Sequence, residues 1–275
     1  MEGIYGIDVS HWQGDIDWDK VAQSGVKFVI IKAGGSDAGF YTDTKFEENY
    51  DGAKNSGLAV GAYYYVGPGF VSTEDGIADA ERFENIIAGK EFNMPVILDL
   101  EETSPEDAEG ATDASIAFCD YLRDRGYYVM IYASDISGFK EKLNIDRLSG
   151  YDKWVARYGK KPEYVEDYGI WQNDNNGSVY GISERVDIDI AYKDYPSIIA
   201  GMSGNEEQIP EEDTDSSEET GDATPVPESI TYTIQSGDTL SAIAIKFGTT
   251  VEKIVDDNNI SNPNLIYAGD TIIIR

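Results

Sequence analysis

The sequence predicts a closed α/β barrel followed by a small second domain. Strand-like apolar runs alternate with helical patterns through the first two hundred residues, and the strands number eight. Charge divides the chain into three blocks. Closing the sheet buries every strand on both faces, as such apolar runs require. An open doubly wound sheet is the competitor, weakened because no glycine-rich dinucleotide loop follows the first strand.

The elements follow in order. Gly3–Val9 reads as the first strand, and Asp17 as the N-cap of a short helix ending at Gly25. Val26–Lys32 is the second strand. Phe46, Tyr50 and Ala53 keep helical spacing before Gly57, and Leu58–Tyr65 is the third strand. Ile77, Ala80, Phe83 and Ile87 predict a helix before Gly89; Pro95–Asp99 follows as a strand. Ile116, Cys119 and Leu122 mark the next helix, before Gly126 and the strand Tyr127–Tyr132. A shorter helix is expected near Ser137–Leu143. Beyond it, Lys153–Ala156, Gly169–Gln172 and Arg185–Ile190 read as strands without proper helices between them. Five strand–helix units and three further strands sum to a closed parallel barrel.

The charge blocks set the domain boundaries. Residues 201–229 hold 10 acidic residues and no Lys or Arg, are rich in Ser, Thr, Gly and Pro, and lack aromatics. Such a stretch is expected to be an extended, disordered tether. Residues 1–200 carry 37 acids against 18 bases, and residues 230–275 carry 5 against 3. A large domain, an acidic linker and a small domain result.

Composition excludes several functions. A formal net charge of -31 argues against nucleic acid and against anionic membrane. One Cys and one His exclude a disulfide framework, a Cys-rich zinc site and a two-His metal site. No cofactor or metal is expected. No apolar run approaches a membrane span, and no basic-apolar stretch suggests a signal peptide. A Cys–His pair would need Cys119, which lies on a helix's apolar stripe. A Ser-His-Asp triad would need His11, more simply a rim residue, and there is no Gly-x-Ser-x-Gly elbow.

Carboxylates at strand ends carry the functional signal, because barrels of this kind place their chemistry at the strands' carboxyl ends. Asp8 ends the first strand. Asp99 and Glu101 end the fourth, and alternation puts them on one face, about 6.5–7 Å apart along the chain. Asp187 and Asp189 lie on the eighth strand, which closure brings beside the first. Like charges held close keep one carboxyl protonated toward neutral pH, and an acid with a carboxylate partner is what glycosidic cleavage needs. Tyr63, Tyr65, Tyr132 and Trp171-Gln172 end neighbouring strands and supply rings and polar tips for a sugar. Tyr64, of opposite parity, belongs in the barrel wall.

With these residues assembled, a resemblance is plain. Gly6-Ile7-Asp8-Val9-Ser10-His11-Trp12-Gln13-Gly14 resembles the opening motif of the glycoside hydrolase family 25 lysozymes. Phe28–Ala33, Gly61–Tyr65, Asp99-Leu100-Glu101, Ile170-Trp171-Gln172 and Val186–Asp189 continue it in order. The resemblance implies a (β/α)5(β)3 TIM-like barrel that cleaves the β-1,4 bond from N-acetylmuramic acid to N-acetylglucosamine in peptidoglycan. The family's acid falls on Glu101, its partner on Asp99 and its flanking Asp residues on Asp8 and Asp187. Its saccharide-lining aromatics fall on Tyr63, Tyr65, Tyr132 and Trp171. Asp99 would stabilise the oxocarbenium-like centre directly or by orienting the substrate's acetamido group.

Tyr232–Ser241 and Ile266–Ile274 resemble the two ends of a LysM module, a βααβ unit that grips N-acetylglucosamine chains. Its binding loops fall on Gly237, Asp238, Thr239 and Leu240 and on Asn264, Leu265 and Ile266. The implied protein is a peptidoglycan hydrolase tethered to the bacterial wall. A phage endolysin released through a holin pore fits the missing leader; an exported bacterial enzyme is the other route. The rival functions are a non-catalytic glycan binder and a chitinase.

Overall fold

The computed structural model describes residues 3–203, 230–234, 240–247, 249, 251–258, 260 and 271–274. The chain divides into two compact units, Met1–Gln208 and Ile209–Arg275.

In the large unit, β1 (Ile4–Val9) leads to α1 (Trp18–Gln23), whose N-cap Asp17 accepts the Lys20 N–H at 3.2 Å. β2 (Phe28–Gly35) is followed by the short β3 (Tyr41–Thr42) and α2 (Phe46–Asn55). β4 (Ala59–Val66), α3 (Thr73–Ile87), β5 (Val96–Leu100), α4 (Ala108–Arg123) and β6 (Val129–Ser134) continue the alternation. Next comes one π-helical turn, Asp135–Lys140, in place of the helix expected over Ser137–Leu143. β7 (Asp152–Ala156), β8 (Ile170–Gly177), β9 (Val186–Ala191) and α5 (Tyr195–Ser203) complete the unit.

The barrel closes in the order β1-β9-β8-β7-β6-β5-β4-β2, with β2 returning to β1 and β3 paired outside on β2. Seven strands are parallel. The eighth, β9, runs antiparallel to both β8 and β1, which corrects the expectation of a fully parallel barrel. The reason is the link. Residues 178–185 join β8 directly to β9, and a parallel pairing would need a crossover of roughly a dozen residues or more.

Alternation along each strand separates two apolar clusters. Phe28, Ile30, Ile97, Met130, Trp154 and Ile170 fill the barrel, while Ile7, Val29, Ile31, Tyr64 and Leu98 face outward under the helices. The stripe predicted on α3 is right at Ala80, Phe83 and Ile87, but Ile77 is exposed and Gly76 takes the buried position. A Cβ at Gly76 would lie 2.2 Å from the Ala114 carbonyl, so glycine lets α3 lie close against α4. Cys119 is fully buried on α4, and burial pushes its thiol pKa up, as suits a small core residue.

Helix α5 is an element beyond the eight strands and their helices that the sequence pattern predicts. Its N-terminal signal is Asp194, whose side chain accepts the Ser197 N–H at 3.2 Å. The helix buries Tyr195 at the barrel's lower end, where the hydroxyl donates to Asp152 Oδ2 at 2.7 Å. Residues 201–203, assigned to the acidic tether, belong to this helix; the rest of that tether lies outside the described residues.

The small unit has the expected order: β10 (Ile230–Thr233), α6 (Leu240–Phe247), α7 (Val251–Asn258) and β11 (Thr271–Ile274), with β10 and β11 antiparallel. Ile234, Leu240, Ile243, Ile254 and Ile272 form its core. Asn258 ties α7 to β11: its amide donates to the Ile273 carbonyl and accepts the Ile273 N–H, each at 2.7 Å.

Candidate active site

The antiparallel turn of β9 creates the site. Because β9 starts at the rim where β1 ends, the register sets Asp187 directly opposite Asp8 and Asp189 opposite Gly6, one layer deeper. Across the mouth, Ile97 lies inside the barrel and Asp99 and Glu101 follow it at two-residue steps. The four predicted carboxyls therefore share the carboxyl rim of the barrel.

Their environments differ. Asp8 is buried, and one of its oxygens accepts the Gln172 amide at 2.7 Å. Gln172 is itself fixed, because its carbonyl oxygen accepts the hydroxyls of Tyr132 at 2.9 Å and Tyr158 at 3.1 Å. Burial, then the charges of Asp189 and Asp187, push Asp8 well above the ordinary carboxylate range; the Gln172 hydrogen bond opposes them. Burial, then Asp174, pushes Asp187 up to about 6.

Asp99 is 4% exposed, and no donor among the described residues reaches its Oδ1. Burial and then the Glu101 charge raise it well above its usual value. Glu101 stands exposed at the mouth, but enough of the rim surrounds its carboxyl that desolvation, followed by Glu102, raises its pKa too. Lys32 opposes the rise of both carboxyls. Burial and neighbouring carboxylates thus push both carboxyls in the same direction, toward holding a proton. Exposure separates the two: Glu101 opens to the mouth, whereas Asp99 lies behind it.

Lys32 is a residue that no local sequence pattern singles out. It lies on the inward parity of β2, with its ammonium 4.4 Å from the Tyr65 ring centroid, 5.6 Å from Tyr41 and 5.9 Å from Tyr63. Among the described residues, no group of three or more His, Cys, Asp or Glu side chains is arranged to hold a metal ion.

The predicted aromatic lining needs revision. Tyr63 and Tyr132 do face the lumen, but at 9% and 5% exposure they offer the mouth little more than an edge. Tyr65 is half-buried and donates to Glu102 at 2.8 Å. Trp171 points the other way: it is in register with outward-facing Val155, and its indole donates to the Arg157 carbonyl at 2.8 Å. Gln172, its neighbour, faces in and holds Asp8. Rings exposed on loops leaving the carboxyl ends of β1, β2 and β7 are Trp12, Phe40 and Tyr158. Tyr158 could have been found by continuing the Trp154, Ala156 parity past the strand end. His11 is a rim residue, as expected, with Nδ1 2.7 Å from the buried Asp43 carboxylate.

Asp135 braces the loop that carries Tyr158. It is buried and accepts the N–H groups of Glu163, Tyr164 and Val165 at 2.8, 3.1 and 3.0 Å, besides pairing with Arg157. Burial alone would raise its pKa; these donors outweigh it and hold the carboxyl below its usual value. Asp135→Ala should cost about 3 kcal/mol, since it leaves several donors unsatisfied. A depressed folded pKa gives stability that is present above the unfolded value and lost as pH falls through the folded one. The difference in melting temperature between wild type and variant should therefore be flat above about pH 5 and narrow below about pH 4.

On the small unit, Leu240 is 2% exposed in the core, so its side chain is not on a binding surface. Gly237, Asp238, Thr239, Asn264, Leu265 and Ile266 lie outside the described residues. Among the described residues, no helix is long and apolar enough to cross a membrane.

A barrel with carboxyls gathered at its carboxyl rim, and its one thiol buried elsewhere, has the inventory that carboxylate-dependent glycosidic cleavage requires. Residues 7–182 match Glycosyl hydrolases family 25, and the chain belongs to that family; residues 232–275 match the LysM domain. The autolytic lysozyme of Clostridium acetobutylicum is 35% identical over 185 residues, which cover 67% of this chain and 54% of that protein. The chain thus spans about half the length of that curated relative. Among solved structures, the CTP1L endolysin superposes with a TM-score of 0.64 at 28% identity, covering 73% of this chain and 70% of the other. The bacterial lysozyme from Streptomyces coelicolor gives a TM-score of 0.60 at 27% identity, with 74% and 99% covered.

Proposed function

We propose that the protein is a peptidoglycan hydrolase, a 1,4-β-N-acetylmuramidase that cuts between N-acetylmuramic acid and N-acetylglucosamine. The observation that carries this reading is the convergence of Asp8, Asp99, Glu101 and Asp187 on one rim. Glu101 protonates the bridging oxygen as the bond breaks. Asp99, behind it, faces the positive charge that develops on the sugar or orients the acetamido group that shields it. Lys32 favours the charged form of Asp99, as it does that of Glu101. Asp187 supplies negative charge that helps keep the proton on Glu101, and Asp8, opposite it on β1, adds to the charge of the rim. The family relationship and the names of the lysozyme relatives support the substrate. An endolysin role is the finer reading, favoured by the likeness to the CTP1L endolysin. Measuring new reducing ends from peptidoglycan and from chitin tests the substrate: release from peptidoglycan is expected, and release from chitin alone would overturn the reading.

The LysM unit serves as the wall anchor, and its glycan contacts raise the local concentration of the barrel. The separation test is a chain ending at Ser203, which keeps α5 whole. On whole walls at low enzyme concentration this chain should be about tenfold slower than the full protein, with the gap closing at saturation. Equal lysis at every concentration would leave the small unit without an anchoring role.

A further inference from the structure

Beneath the rim, Asp189 is a fully buried carboxyl that the mechanism above does not use. It faces into the barrel from β9, two residues below Asp187, and its register partners are Gly6 on β1 and Gln172 on β8. One oxygen accepts the Trp154 indole N–H at 2.8 Å. No donor among the described residues reaches the other, Oδ2, if every neighbouring carboxyl is ionised. A bare, buried carboxylate oxygen is among the costliest groups a core can hold.

The neighbours offer one remedy. The two carboxyls adjoin: Asp189 lies opposite Gly6, two residues before Asp8 on β1, and its other register partner, Gln172, donates to Asp8 at 2.7 Å, so a hydrogen bond from the Asp8 carboxyl would satisfy Oδ2. Two ionised carboxylates cannot make that bond, because neither has a proton to donate. Around the pair, Asp187 faces Asp189 from the same strand, and Asp187 and Asp99 both act on Asp8. Asp189 also acts on Tyr5 of β1. Trp154 from β7 and Gln172 from β8 are neutral donors, one to each carboxyl. Among the described residues, the groups that act most on either carboxyl include no cation; Lys32 acts on Asp99 and Glu101 instead.

We propose that Asp8 and Asp189 share one proton at neutral pH, which makes Asp189 a positioning residue that holds Asp8 as one end of a singly charged pair. Asp8 then has both oxygens engaged from below and beside, by Asp189 and Gln172, and presents a fixed charge to the mouth. The role in catalysis rests on the proposed place of Asp8 in the site; the shared proton does not. Burial, with the Asp187 charge, pushes Asp189 up to about 8, in the same direction as the geometry.

Asparagine reproduces the protonated partner: its carbonyl accepts from Trp154 and its amide donates to Asp8. Asp189→Asn should therefore fold and keep lysis at pH 6 within about threefold of wild type. Asp189→Leu cannot donate, and should lose about tenfold or more in kcat with KM little changed, because Asp8 is no longer held in place. Stability gives a readout independent of activity. A carboxyl whose folded pKa is raised contributes stability that is complete below its unfolded value and lost as pH rises through the folded one. The thermal midpoint of Asp189→Asn relative to wild type should therefore climb from about pH 4 to about pH 8 and then level off. A difference that stays flat over that range overturns the shared proton. So does an Asn variant that does not fold or is as slow as the Leu variant, and if the Leu variant does not fold, the Asn variant decides alone. A wild-type protein without lytic activity would instead count against the proposed function and leave the stability comparison readable.

Discussion

Glu101→Gln should abolish lysis of purified walls while leaving fold and wall binding intact. The amide keeps the shape of the side chain, but it cannot donate the proton the leaving oxygen needs. Acid catalysis of this kind contributes about 10²–10⁴-fold, and a loss in that range is expected in kcat. Glu101 is exposed at the mouth, so the change should leave the melting temperature nearly unchanged. Turbidity clearing together with a wall pull-down separates catalysis from binding. Retention of more than about a tenth of wild-type activity would remove Glu101 from the acid's role.

Asp99→Asn should be nearly as damaging for a different reason. In the proposed mechanism Asp99 supplies a charge as the sugar becomes cationic, so its loss should appear in kcat, by about 10²–10³-fold, rather than in KM. Burial adds a second consequence. The charged form is costly at 4% exposure, so the neutral amide should fold at least as stably as wild type. A variant with raised KM and unchanged kcat would make Asp99 a binding residue and would leave the developing charge without its partner.

Much of this was legible in the sequence, and the physical reasons are specific. The strands announced themselves as runs of β-branched and aromatic residues, and a carboxylate interrupting such a run, as at Asp99, is costly enough to stand out. Period-two alternation then placed Asp99 and Glu101 on one face and separated Tyr64 from Tyr63 and Tyr65. Strand direction was harder, because a strand's residues carry no sign of it. For β9 the information lay in the short link, residues 178–185, and it decides which end of the strand reaches the rim. The same alternation that succeeded at Asp99 forbids Trp171 and Gln172 from lining the lumen together. Lys32 and Asp189 were harder to see. The task of each depends on groups from several distant strands, three tyrosine rings in one case and Asp8 with Trp154 in the other, and no local pattern reports such a convergence.

The most direct test is the chemical identity of the end the protein creates. Purified peptidoglycan should be digested with the full chain, the products reduced with borohydride, and the fragments read by mass spectrometry. Reduced N-acetylmuramic acid at the new ends is the predicted result, absent from the Glu101→Gln digest. New ends that carry reduced N-acetylglucosamine, or fragments released by peptide cleavage with the glycan intact, would contradict the account.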